Sequence, residues 1–148
     1  MPAPDDFVKK ITDQLKEANK QAQLETERKV QEANTIKSTA PEQWAALRVW
    51  VKRFCEDANG EMESPVFNVR DTPSKLLIVD AKTAVHGTRM LQAEFHENTN
   101  AITSSSGRIE FKPFIDGEGF GFSYGSNRVS VEEMGQALIK SLLELRAK

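Results

Sequence analysis

A single cysteine, Cys55, is the whole thiol inventory of this 148-residue chain. That excludes an internal disulfide and any cysteine-based zinc site. Histidine is almost as scarce, with only His86 and His96 present. If both lie on one extended strand they stand about 33 Å apart, too far to share a metal ion. Charge of one sign is not in excess either: the formal net charge is −2 and no block of like charges occurs, so the composition disfavours a nucleic acid or an anionic membrane as partner. No apolar run approaches the roughly 18 residues that a membrane-crossing helix needs. Residues 1–6 have neither the basic start nor the apolar run of a signal peptide, so a cytoplasmic location is expected.

Catalytic signatures are missing as well. No Gly-Lys-Ser/Thr phosphate loop and no Gly-x-Ser-x-Gly elbow can be found around Ser104, Ser105 and Ser106. Asp116 and Glu118 imitate the first ligands of a calcium loop, but Phe120 follows them and Asn127 stands where the bidentate glutamate belongs. Cys55 falls on the apolar stripe of a helix with Trp44, Leu47 and Val51, which makes it a buried thiol rather than a nucleophile. No catalytic residue, metal ligand or cofactor is expected, and a non-catalytic role is favoured over an enzymatic one.

From Asp5 to Ser38 there is neither glycine nor proline, and good helix formers dominate. Spacings of three and four place Phe7, Ile11, Leu15, Ala18 and Ala22 on one stripe, which thins through Val30, Ala33 and Ile36. Residues 1–38 are therefore read as one long amphipathic helix. At 1.5 Å per residue it would span roughly 50 Å, more than the roughly 40 Å diameter of a compact chain of this size. Either it breaks near Gln21 to Thr26, or its stripe needs another surface.

Residues 39–148 read as a single α+β domain. Thr39, Pro41 and Glu42 have the form of a helix start, and Asn59-Gly60 that of a left-handed stop, so a second helix is expected between them. Strands follow at 65–70, 76–79, 88–97, 101–104, 108–115 and 118–124, and the run Leu76 to Val79 suggests a central strand covered on both faces. Ser130 and Glu133 then form a capping box at the head of a last helix lined by Met134, Leu138, Leu142 and Leu145. The expected fold is α+β, with two N-terminal helices, an antiparallel meander of five or six strands, and a C-terminal helix packed on one sheet face.

In the last strand, Glu118-Gly119-Phe120-Gly121-Phe122-Ser123-Tyr124 resembles the aromatic strand of RNA-recognition motifs and cold-shock domains over about seven residues. The resemblance implies that Phe120, Phe122 and Tyr124 stack on unpaired bases. The stretch departs from that pattern at Glu118, where a basic residue is expected, at Ser123, where an aliphatic is, and at Gly125, which takes the place of the closing aromatic.

Three functions follow. The first is a protein-interaction or assembly module, self-associating or bound to another protein through Phe7, Ile11, Leu15, Ala18 and Ala22. The second is a small-ligand binding protein or modest enzyme with a pocket between a curved sheet and its helices, lined by Phe111, Phe114, Phe120 and Tyr124. The third is single-stranded nucleic-acid binding through Phe120, Phe122 and Tyr124.

Overall fold

A computed structural model describes residues 4–80, 88–105 and 108–145. Two helices enclose a run of strands in the order α1 (Pro4–Gly60), β1 (Phe67–Asp71), β2 (Lys75–Asp80), β3 (Arg89–His96), β4 (Ala101–Ser104), β5 (Glu110–Asp116), β6 (Gly119–Tyr124), β7 (Asn127–Val129) and α2 (Val131–Glu144). The strands form one antiparallel sheet in sequence order, the topology of a simple meander. The chain divides into two compact units, Met1–Thr35 and Ile36–Lys148, and α1 contributes residues to both. The fold is thus α+β with an antiparallel sheet and a C-terminal helix, but it differs from expectation in having one N-terminal helix rather than two, and seven strands rather than five or six.

The missing helix boundary lies at Pro41, which sits inside α1. A proline removes one hydrogen bond to the carbonyl four residues back, here that of Lys37, and kinks or breaks a helix only if nothing holds the two sides together. Here Ala40, Trp44, Leu47, Val51 and Cys55 are buried in one cluster with Ile36 packed against it, so tertiary burial runs through the proline without interruption. Residues that form a good start signal are not a stop signal for the helix that precedes them.

Strand registers carry the core across the sheet. Ile78 faces Leu91, Leu76 faces Ala93, Phe95 faces Ile102, and Ile102 faces Phe111 on the next strand. All of them are buried, together with Met134, Leu138, Ile139 and Leu142 of α2. At about 25 cal/mol per Å² of apolar area, each of these side chains contributes roughly 1.5–3 kcal/mol on burial. The other sheet face is mixed: Val79 lies across from Met90, Leu77 from Gln92, Glu94 from Thr103, and Lys112 from Ser123. Leu77 and Val79 are only half-buried, so β2 is not enclosed on both faces.

Local chemistry closes the ends. Gly60 does not take the left-handed conformation expected of a stop. The helix ends in a tightened turn, with the Glu61 and Met62 amides donating to Ala58 and Asn59 carbonyls at 3.2 Å. Asn59 is used differently: its Oδ1 accepts from the Val66 and Phe67 amides and its Nδ2 donates to the Phe67 carbonyl, each at 2.8 Å. One side chain therefore saturates the start of the edge strand β1. The seventh strand, β7, is three residues long and follows Gly125, whose φ of 64° makes the turn. The capping box at Ser130 and Glu133 is present as expected, both hydrogen bonds measuring 3.1 Å.

Two contacts fix α1 against its surroundings from Ile36 onward. The Trp50 ring lies over Gly135 of α2, so closely that a Cβ there would overlap it. Asp71 at the end of β1 accepts from Arg48 at 3.1 Å and from Lys52 at 3.0 Å. The Lys52 hydrogen bond first, then the Lys52 and Arg48 charges, hold the Asp71 carboxyl below its ordinary value.

Gly135→Ala is expected to cost about 1–3 kcal/mol by overpacking, despite alanine's better helix propensity, and chemical denaturation measures it. Because the folded-state pKa of Asp71 is depressed, the stability it lends is present above about pH 4 and is lost as the pH falls through that lowered pKa. Asp71→Asn should therefore lower stability by about 1 kcal/mol at neutral pH, and thermal unfolding of variant and parent should converge in strong acid.

Candidate docking surface

The residues of α1 up to Thr35 bury almost nothing. From Asp5 to Thr35 every side chain is exposed except that of Glu32, which is half-buried. At 100° per residue, Phe7, Ile11, Leu15, Ala18 and Ala22 fall within an arc of about 80°, with Val8 at its edge. The larger members stand open: Phe7 is 68% exposed, Val8 59%, Ile11 37% and Leu15 65%. Along the axis the patch covers about 22 Å. Its far end is set by Glu25 and Lys29, which fall on the same arc, and Arg28 reaches Glu25 at 3.5 Å and Glu32 at 3.9 Å there. Leu24 and Val30 are also exposed but point elsewhere on the helix.

Side-chain contacts along these residues are local. Gln21 donates to Glu17 at 3.3 Å, a pair that contributes a few tenths of a kcal/mol. Thr26 and Thr35 donate their hydroxyls to the carbonyls of Ala22 and Gln31, each at 2.9 Å, back-bonds that slightly weaken a helix rather than hold it. A helix normally gains most of its stability by burying one face, and here the apolar stripe stands bare on a helix whose residues up to Thr35 bury no side chain fully.

The aromatic residues of β6 are placed differently. Phe122 is buried in the core and meets Phe120 edge-on at 5.3 Å between ring centroids. Phe120 is half-buried against the core, while Tyr124 is exposed and lies 5.5 Å from the Phe111 ring. Of the three, Tyr124 alone presents an open ring. Opposite them, Arg128 lies across Gly121, over the Phe114 ring at 4.5 Å, and donates to the carbonyl of Phe120 at 2.9 Å. It also pairs with Asp116, whose carboxyl is held below its usual value by Arg128 first and the Glu118 amide second. Gly121 is the residue that lets this guanidinium settle on the strand, a role that spacing alone does not reveal.

Several clefts open on the unit Ile36–Lys148, among them one of about 430 Å³ bordered by Arg108, Glu110, Lys112, Ser123 and Tyr124. A second, of about 340 Å³, borders Phe120, Phe122, Arg128 and the capped start of α2. Another, of about 390 Å³, is walled by Pro41, Pro73, Lys37 and Glu97 over Trp44 and Phe95. Those two rings stack at 6.0 Å, and Trp44 donates to the Pro73 carbonyl at 2.7 Å, so both are committed to the fold. Arg48, above Trp44 at 5.8 Å, is tied to Asp71 and the Thr72 carbonyl. In the cleft at the start of α2, Ser130 and Glu133 stand side by side, but each is spent on the other's backbone amide in the capping box.

Among the described residues no group of three or more His, Cys, Asp or Glu side chains is arranged to hold a metal ion. His96 bonds Thr103 across β3 and β4 at 2.7 Å, and His86 lies outside the described residues. Cys55 is buried, and burial, followed by the Glu56 charge, pushes its thiol up to about 11. Likewise, no described helix is long and apolar enough to cross a membrane. Comparison with family models, with curated proteins and with solved structures finds no match to this chain.

A thiol raised so far is almost fully protonated at pH 8. Cys55 is therefore expected to resist a thiol-specific disulfide reagent in the folded protein and to react at the rate of a free cysteine once denaturant unfolds it. Rapid labelling without denaturant would contradict its burial.

Proposed function

We propose that this chain is a non-catalytic protein-interaction or assembly module that docks through the stripe Phe7, Ile11, Leu15, Ala18 and Ala22. The observation that carries the reading is the exposure of the whole stripe on a helix whose residues up to Thr35 bury no side chain fully. Three large apolar groups in one arc, Phe7, Ile11 and Leu15, with Val8 at its edge, are costly to leave in water, each being worth roughly 1.5–3 kcal/mol when fully covered. Scattered surface hydrophobics need no explanation, but a contiguous row at helical spacing matches helix-in-groove and helix-to-helix recognition.

Small-ligand binding ranks second. It rests on the cleft over Trp44 and Phe95, whose floor rings are almost completely closed off by their own neighbours. Base stacking ranks third, because Phe122 offers no free face.

A photo-reactive phenylalanine analogue at Leu15 should form a covalent adduct in cells, and the same analogue at Lys20, on the opposite side of the helix, should not. Ile11→Asp introduced beside the Leu15 probe should abolish the adduct while leaving the thermal midpoint unchanged, since Ile11 takes no part in the core. Equal labelling from both positions, or none from either, would overturn a docking role for the stripe.

A further inference from the structure

Resting on that reading, we infer that the occupant of the stripe is a second copy of this chain, lying antiparallel along residues 7–28. Written as heptads, the positions that face a partner helix are Val8, Ile11, Leu15, Ala18 and Ala22, and the repeat ends at Glu25 and Lys29. Size changes systematically along this seam. Its N-terminal members are branched or bulky and its C-terminal members are alanines.

Such a tapered seam matches itself only in reverse. In a parallel pair Ile11 meets Ile11 and Leu15 meets Leu15, while Ala18 and Ala22 meet their own copies, so the helices would be held apart at one end and need to close at the other. Turned antiparallel about a point between Lys16 and Glu17, Ile11 of one copy lies level with Ala22 of the other, and Leu15 with Ala18. Each of the four inner layers then holds one large and one small side chain, and the spacing stays constant over them, which is how well-packed helices interdigitate, while at either end Val8 falls level with Glu25 of the other copy.

Charge placement agrees. The positions that flank the seam are Phe7, Gln14 and Gln21 on one side and Thr12, Asn19 and Thr26 on the other, all uncharged. Like charges on such flanks oppose self-pairing, and charges of one sign select an oppositely charged partner. Here the charged residues Lys9, Lys10, Asp13, Lys16, Glu17 and Lys20 keep to the outward positions, where an identical helix meets none of them. In the antiparallel register Gln14 lies beside Gln21 of the other copy, two amides able to hydrogen-bond across the pair. Phe7 falls near the other copy's Arg28, the first cation beyond the seam.

Four layers are few. The contact falls at or below the roughly 1,200 Å² that marks the lower bound of stable interfaces, so the pair should exchange readily and dissociate on dilution.

Sedimentation equilibrium of the full chain from about 10 μM to about 1 mM should show a monomer–dimer equilibrium, and Leu15→Asp should weaken it at least about 30-fold. Orientation is read from disulfide formation. A mixture of Gln14→Cys and Gln21→Cys chains should cross-link between the two variants about tenfold faster than Gln14→Cys alone, Cys55 being buried in both. Faster linking of Gln14→Cys to itself would overturn the antiparallel arrangement. A full chain that stays monomeric throughout would overturn the second copy as occupant. A Leu15 adduct to another protein would then leave the docking role standing, whereas no adduct at all would remove both.

Discussion

The face of α1 from Ala40 to Cys55, pressed into one side of the sheet, is the contact on which the rest depends. Trp44 locks it to the strand connections through Phe95 and the Pro73 carbonyl, Trp50 locks it to α2 over Gly135, and Asp71 clamps Arg48 and Lys52 beside it. Helix formation is costly to start and cheap to extend. A segment nucleated by core packing can therefore carry the helix through Pro41 into residues that bury nothing themselves. Those residues bury nothing of their own, so their helix rests on its backbone hydrogen bonds and on local side-chain pairs that contribute little free energy.

The two units thus obey different rules. From Ile36 onward, burial decides: large side chains meet across adjacent strands, the far face mixes polar groups with Leu77, Val79 and Met90, and the start of the edge strand β1 is bonded by Asn59. Up to Thr35, only periodicity is left: the apolar residues share one side of the helix and none of them is buried. The uncharged flanks of the stripe narrow the choice of partner, since they give no electrostatic reason to prefer a strongly charged one.

Much of this was legible in the sequence where the signal is local. Ser130 and Glu133 mark the head of α2 because a capping box needs only four residues, and Leu91, Ala93 and Phe95 separate from Met90, Gln92 and Glu94 because a strand alternates whatever surrounds it. Where tertiary contacts decide, the residues mislead. Thr39, Pro41 and Glu42 look like a boundary until Ala40 and Trp44 are seen buried together; Asn59-Gly60 does mark the end of α1, but without the left-handed turn and with the Asn59 amide bonded to β1; and Asn127–Val129 is too short to alternate. Gly121 and Gly135 carry no pattern at all, because what each requires is the ring or guanidinium of a residue distant in the chain. For the stripe, spacing reveals which residues share a side of the helix, but not whether that side is covered.

Amide hydrogen exchange followed along α1 as a function of protein concentration tests the central claim most directly. The account expects protection between Phe7 and Ala22 to rise with concentration and to be lost in Ile11→Asp, while the amides from Ala40 to Cys55 stay equally protected throughout. Protection at Phe7 to Ala22 that is strong at every concentration and indifferent to Ile11→Asp would contradict it.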